Sequence, residues 1–253
     1  MLRLNNVSKR FFARGRVVRA IDPISLEIAG GEFVSVVGPS GCGKSTILNI
    51  VAGLMPPTDG TITIDGRPVR GVTREVGYVT QQHNLMPWRS LIDNVSFPLQ
   101  VVGMAKSERY DRAMGLIEAV GLRGFENSYP HELSGGMRQR ANIIRTLIYS
   151  PKVMLMDEPF GPLDAQTRLM LQDQLLEIWS RTAITIVFIT HDLQEAIGLA
   201  DRVVLLSARP GKVIRVDNVT LARPRDVFRM HDNSEFRTLY DAIWSELEGQ
   251  VRD

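Results

Sequence analysis

The apolar positions change period several times along the chain. Residues 33–37 (FVSVV) form a short apolar, β-branched run, which predicts a buried strand. A Gly-rich turn follows. Ser45 to Leu54 then places Ile47, Leu48, Ile50, Val51 and Leu54 at helical spacing, with Pro56-Pro57 and Asp59-Gly60 predicted to end the helix. TITI at 61–64 alternates polar and apolar, Asp65-Gly66 predicts a hairpin turn, and 77–80 predicts another strand. From about 83 to 150 the pattern is helical, at 107–120 and at 136–149, where Ile143, Ile144, Leu147 and Ile148 supply the apolar face. After Pro151, apolar runs return at 153–156 (VMLM), 184–190 (ITIVFIT) and 203–206 (VVLL), alternating with helical patterns near 165–180 and 192–199. Strands that alternate with helices predict a parallel sheet covered on both faces, so the middle segment reads as a helical insertion into an α/β core. Over 234–249, Phe236, Leu239, Tyr240, Ile243, Trp244 and Leu247 share one helical stripe, which predicts a packed C-terminal helix.

Composition narrows the class. The 253 residues are 44% hydrophobic and 23% charged, which fits a globular protein with a sizeable core and argues against disorder or a pure coiled coil. The formal net charge of +2 does not by itself imply a nucleic-acid partner. A single cysteine, Cys42, cannot form an internal disulfide. The opening residues MLRLNNVSKRFF carry no apolar run before small cleavage-site residues, so no secretory signal is expected. No run reaches the roughly 18 apolar residues of a membrane span, so any membrane role is expected to come through a partner.

Candidate chemistry begins at residues 38–46, GPSGCGKST, which satisfies G-x-x-x-x-G-K-[ST] between a predicted strand and a predicted helix. Gly38, Pro39, Ser40, Gly41, Cys42 and Gly43 form a loop whose backbone N–H groups can approach phosphate oxygens, Gly41 and Gly43 having no Cβ to obstruct them. The helix that follows points its positive end at the phosphates. Lys44 is expected on the β- and γ-phosphates, Ser45 on Mg²⁺ and Thr46 on phosphate. Cys42 reads as a small loop residue rather than a redox switch.

The apolar run VMLM ends in Asp157 and Glu158, and carboxylates at the carboxyl end of a parallel strand face the ligand crevice. Asp157 is the candidate Mg²⁺ partner, direct or through water, and Glu158 the candidate general base. His191 follows ITIVFIT and reads either as a structural histidine or as a donor to the γ-phosphate. LSGGMRQR at 133–140 places Ser134 as a helix N-cap and leaves the N–H groups of Gly135 and Gly136 open; it is a plain cap or a second anion site.

In order along the chain, GPSGCGKST, Gln81 in GYVTQ, LSGGMRQR, Asp157-Glu158, Asp164 in GPLD and His191 in THD resemble the motif series of the ABC ATPase family over about 7–216. The resemblance implies a P-loop NTPase core with a mostly parallel sheet, an N-terminal antiparallel β subdomain and an inserted α-helical subdomain. It divides the chain into a core at 1–82 and 151–216, a helical signature subdomain at 83–150 and a C-terminal helical extension at 217–253. It also implies a head-to-tail dimer, in which ATP bound at Lys44 of one copy is covered by Ser134, Gly135 and Gly136 of the other, with Asp164 at the same junction. Gln81 is then expected to touch Mg²⁺ or the attacking water and to sense a membrane partner. Phe11 aligns with the aromatic that stacks on adenine, with Phe12 as the competing candidate. Trp88, in LMPWRSLIDNV, is either a contact to a coupling helix or a local anchor.

Met137 stands where the usual signature has Gln. Two departures stand out: Pro162 replaces the usual Ala of the D-loop, removing an N–H, and the helix after the signature reads ANIIRTLIYS at 141–150, where the family tends to have a more Ala-rich helix. The segments QQHNLMPWRSLIDNV, DEPFGPLD and VVLLSARPGKV are similar to the nitrate/sulfonate/taurine importer subfamily. That likeness implies an ATP hydrolase using ATP and Mg²⁺ on the cytoplasmic face of the inner membrane. Its partners would be two transmembrane permease subunits and, indirectly, a periplasmic or lipoprotein solute-binding protein. The alternative is a soluble ABC-type ATPase acting on nucleic acid or ribosomes, a class usually marked by two cassettes or a long coiled-coil insert, features this chain lacks.

Overall fold

The computed structural model describes residues 1–13 and 15–252; Asp253, the last residue of the predicted extension, and Arg14 lie outside them. The chain opens with a long hairpin, β1 (Leu2–Ala13) and β2 (Arg16–Ile28), followed by β3 (Phe33–Val37) and α1 (Lys44–Val51). β4 (Asp59–Ile64), β5 (Arg67–Pro68) and β6 (Val76–Val79) come next. A helical stretch holds α2 (Leu91–Val101), α3 (Lys106–Ala119) and α4 (Gly135–Leu147). The second half runs β7 (Val153–Asp157), α5 (Ala165–Thr182), β8 (Thr185–Ile189), α6 (Leu193–Leu199), β9 (Arg202–Leu206), β10 (Val213–Asn218) and α7 (Ser234–Arg252).

The main sheet has the order β10-β9-β3-β8-β7-β6 and is parallel except for β10, which pairs antiparallel with β9. Every residue of β3 and β8 is buried, as central parallel strands with helices on both faces require. Their alternation sorts the core. Val34 and Val36 of β3 join α1 (Ile47, Leu48, Ile50, Val51) and the antiparallel sheet β2-β1-β4-β5, while Phe33 faces Leu171 and Leu175 of α5. A separate apolar cluster holds α2, α3 and α4 together through Leu91, Val95, Ile117, Ala141 and Ile144. On α7, Phe236, Ile243 and Leu247 are buried against Val37, Val203 and α6, whereas Trp244 on the same stripe is 47% exposed.

Most predicted elements appear within a residue or two, and the exceptions have physical causes. Helix α1 stops at Val51, short of the expected Leu54, because Gly53 takes φ +73° and closes a Schellman motif: Gly53 N donates to Ile50 O and Leu54 N to Asn49 O. Leu54 therefore lies outside the helix and is exposed. Asp59-Gly60 opens β4 rather than ending α1. β1 shows no clean alternation because its register with β2 shifts between Leu4 and Val7, Val7 and Lys9, and Lys9 and Arg10, and each bulge resets the period of two. α2 hides its helical period behind an internal proline, Pro98, and is identified in the structure by Ser90, whose hydroxyl accepts from Asp93 N.

Candidate nucleotide site

Four neighbouring parallel strands, β3, β8, β7 and β6, deliver their C-terminal ends to one edge of the sheet. After β3 comes the Gly-rich loop, after β8 His191, after β7 Glu158 and after β6 Gln81. Parallel pairing is the cause: it brings to one edge residues far apart in sequence.

In the loop, Gly41 and Gly43 have φ +77° and +105°. A Cβ on Gly41 would meet nothing within 4 Å, so its backbone angle is what calls for glycine; at Gly43 a Cβ would also press on Ala20 O and Ile21 at 3.0 Å. Gly43 is the N-cap residue of α1, which has no side-chain cap hydrogen bond. The helix N-terminus there can receive an anion. Lys44, 7% exposed, donates through Nζ to Gly38 O at 2.7 Å and Pro39 O at 3.0 Å. Its ammonium thus lies within the curl of the loop. Cys42 is fully buried, and burial pushes its thiol above the ordinary value, as suits a packing residue.

Asp157, at the end of β7, lies against the start of α1. Burial pushes its carboxyl up, a hydrogen bond from Ser45 opposes this, and the charge of Glu158 adds to it. The Tyr78 hydroxyl donates to Asp157 Oδ2 at 3.4 Å, and burial followed by that carboxylate pushes the phenol up. One hydroxyl and one partly desolvated carboxylate, side by side, form an oxygen donor set suited to Mg²⁺, which keeps several waters and shares the oxygens of its substrate.

Glu158 adopts φ +45°, a left-handed backbone unusual for a residue with a side chain. Its N–H donates to Ile189 O at 2.9 Å, tying the end of β7 to β8. Its Oε2 stands 3.1 Å from His191 Nδ1. Gly161 shows where Gln81 lies: a Cβ there would stand 3.5 Å from Gln81 Nε2 and 4.0 Å from Glu158 Oε2. Glu158, His191 and Gln81 therefore converge.

The signature turn occupies a different place. Ser134 is the N-cap of α4, its hydroxyl accepting from Met137 N at 3.2 Å, and Ser134 and Gly135 are exposed. Its neighbours are the D-loop and α5 of the same chain: a Cβ on Gly136 would stand 2.6 Å from Thr167 Cγ2, and one on Gly135 3.5 Å from Leu163. Asp164 caps α5, accepting from Thr167 N at 3.0 Å, and that bond holds its carboxyl below the ordinary range. Pro162 is exposed beside Gln81, Gly135 and Arg138 around a cleft of about 680 Å³. Phe11 and Phe12 are exposed at the end of the β1–β2 hairpin, so Phe11 is not a core residue. Trp88 is 73% exposed.

Several supporting residues escaped the sequence reading. Arg145 of α4 donates to His83 O at 3.1 Å and Asn84 O at 2.8 Å, and Asn142 Nδ2 to Thr80 O at 3.4 Å, so the signature helix grips the loop carrying Gln81. Asn94, fully buried, donates to Met86 O, Arg89 O and Ser90 O and accepts from Met86 N, fixing the turn that presents Trp88. The one available signal was a polar residue among the apolar positions of a helix face.

Known proteins resemble this chain in sequence and fold. The ABC transporter family model matches residues 21–161. The ABC transporter ATP-binding protein MJ0412 of Methanocaldococcus jannaschii is 50% identical over 225 residues, covering 89% of this chain and 84% of its own length. The taurine import ATP-binding protein TauB of Rhizobium johnstonii is 47% identical over 215 residues, covering 85% and 82%. Among solved structures, the ATP-binding cassette MJ0796, a dimer in a post-hydrolysis state bound to ADP and Pi, superposes with a TM-score of 0.78 at 33% identity, over 88% of this chain and 100% of that one. Given a family match over more than half of its length and half-identical relatives over most of it, the chain belongs to the ABC transporter family and is an ATP-hydrolysing subunit of it.

Proposed function

We propose that this ATPase is the motor of an importer for a small anionic solute, of the taurine, sulfonate or nitrate class. Two copies close head to tail over ATP, hydrolysis reopens them, and the motion passes to two transmembrane permease subunits fed by a periplasmic or lipoprotein solute-binding protein. The solute class is supported by the relatives named for taurine import. No helix of the described residues is long and apolar enough to cross a membrane. In this reading the chain sits on the cytoplasmic face, held by the permease. The turn held by Asn94, with Trp88 projecting from it, is the surface offered to that partner.

Within the site, the loop 38–43 and Lys44 hold the phosphates, Ser45 and Asp157 hold Mg²⁺ with Gln81 alongside, and Thr46 adds a phosphate contact. Mg²⁺ supplies charge neutralisation on the phosphate oxygens. Glu158 takes the proton of the attacking water, and His191, 3.1 Å from it, holds Glu158 and the γ-phosphate in one geometry. Phe11 stacks on the base. In this reading the core is 1–82 and 151–216, the signature lobe 83–150, and 217–253 an extension.

One observation carries the shared site. Ser134 and Gly135 present open N–H groups at an exposed helix tip whose neighbours in its own chain are Leu163 and Thr167, not the loop at 38–46. Such a tip can complete a phosphate site on a second chain. The test is complementation. Lys44→Ala and Ser134→Arg chains are each inactive alone, because every composite site in either dimer is damaged once. Mixed, they form heterodimers with one intact site, and ATPase returns to at most about a quarter of the wild-type rate on random pairing. No recovery at any mixing ratio would overturn the shared site.

A further inference from the structure

Behind the switch histidine lies a group of charged and polar side chains that the phosphate site does not use. Glu195, in the first turn of α6, is 5% exposed. Its Oε2 accepts from Thr190 Oγ1 at 2.6 Å and its Oε1 from Gln172 Nε2 at 3.2 Å. Thr190, 1% exposed, directly precedes His191, and its hydroxyl also accepts from Asp192 N at 3.0 Å. Arg168, on α5, reaches the opposite way: one guanidinium nitrogen donates to Leu163 O at 3.0 Å, the residue before Asp164. The same guanidinium stands 3.7 Å from Asp192 and 3.7 Å from Glu195. One end of the cluster thus holds the 190–192 turn and the other the turn that leads into Asp164.

Packing alone does not account for an acid here. Burial pushes the Glu195 carboxyl up, against the bonds from Thr190 and Gln172 and the charge of Arg168, with Asp192 adding to the rise. An apolar residue of the same volume would avoid that desolvation cost, since buried ion pairs are often matched or bettered by hydrophobic replacements. What the carboxylate adds is direction. It accepts at defined angles from the residue beside His191 and faces the side chain bound to the D-loop. The pair is also set one step short of closure. Arg168 Nε is a buried atom without a hydrogen-bond partner, and an approach of about 0.5 Å would bring it within bonding distance of Glu195. A cavity of about 140 Å³, bordered by Arg168, Gln172, Glu195 and Met230, leaves room for that movement.

We propose that Glu195 and Arg168 form a buried joint that makes the His191 turn and the Asp164 turn move as one piece, so that Glu195 is a positioning residue for ATP hydrolysis. The proposal rests on the reading of His191 and Asp164 as parts of the shared ATP site. Glu195→Gln keeps the shape, but its single amide oxygen can accept from only one of Thr190 and Gln172, so the other must turn to offer an acceptor to the new NH₂.

The test is steady-state ATPase kinetics on the full chain. With Glu195→Gln, kcat falls about tenfold or more while KM for ATP stays within about twofold, the pattern of a group felt only in the transition state. Arg168→Ala moves kcat the same way, and the double variant is no slower than the worse single one, as two members of one joint require. Arg168 is a partly exposed side chain and carries the test if Glu195→Gln does not fold. A folded Glu195→Gln or Arg168→Ala protein with near wild-type kcat overturns the joint, as does a double variant whose losses multiply. Glu158→Gln chains run alongside separate the two readings. If they dimerise on MgATP while the joint variants keep their kcat, only the joint falls. If they stay monomeric, the shared site falls as well.

Discussion

At Glu158 the backbone is unusual for a residue with a side chain. A left-handed φ on a residue with a Cβ costs on the order of 1–3 kcal/mol, and here it turns the carboxylate toward His191 directly after a buried strand. Glu158→Gln keeps that geometry and removes the proposed base. Its ATP affinity is expected to stay near wild type while kcat drops by about 10²–10⁴, measured by equilibrium nucleotide binding and by phosphate release. Asp157 makes a second prediction. A carboxyl held above its ordinary pKa in the folded chain binds its proton more tightly there than in the unfolded chain. Stability is therefore lost as pH rises from the ordinary carboxylate value through the raised one, and Asp157 weighs against folding at neutral pH. Asp157→Asn is expected to raise the thermal midpoint at pH 7 while reducing Mg²⁺-dependent ATPase. The gain in midpoint should vanish in scans below the ordinary carboxylate pKa.

Helix α1 is short and carries the site at one end, so its other end matters. The Schellman turn at Gly53 satisfies the last carbonyls of the helix and packs its Cα against the next connection: a Cβ on Gly53 would stand 2.1 Å from Gly71 O. Both the positive φ and the collision argue for glycine. Gly53→Ala is expected to cost more than about 1–3 kcal/mol of unfolding free energy in a denaturant titration, the range for strain at such an angle alone. A loss below half a kilocalorie would mean that α1 does not depend on this cap. α4 is anchored differently. Arg145 and Asn142 bind it to the 80–84 loop by hydrogen bonds to backbone carbonyls, so Gln81 and the signature tip share one rigid support.

Across the whole molecule, the phosphate loop is backed by the turn before β10. Gly211 N donates to Ala20 O, Asp22 N donates to Gly211 O, and Gly211 bridges Ile21. A Cβ on Gly211 would stand 2.1 Å from the carbonyl of Cys42, inside the loop. Three distant segments thus meet behind the loop: the Ala20–Asp22 stretch of β2, the loop itself and the β9–β10 turn. Gly211→Ala is expected to push the Cys42 peptide and raise the KM for ATP about tenfold or more, because backbone donors misplaced by a fraction of an ångström lose their aim. An unchanged KM, with correct folding shown by circular dichroism, would mean that the loop is positioned without this backing.

The parallel strands and most helices between them were legible in this sequence because buried parallel strands are continuous apolar runs and those helices keep their period, whereas β1, β2, α2 and β10 were not read from the pattern. The phosphate loop, the carboxylate pair and the signature turn were legible because each is a local string with its own chemistry. Such features depend on neighbours a few residues away, and the chain alone determines them. Contacts across the chain were not legible. The bulges of β1 depend on a partner strand, and the close approach of Gly71 that leaves no room for a Cβ at Gly53 depends on the fold. The roles of Asn94, Arg145 and Glu195 depend on which backbone groups the fold brings beside them. A polar residue on an apolar face has many possible partners in sequence and one set in space. Parallel pairing decided that Gln81, Glu158 and His191 converge, since only the sheet brings the ends of β6, β7 and β8 to a common edge.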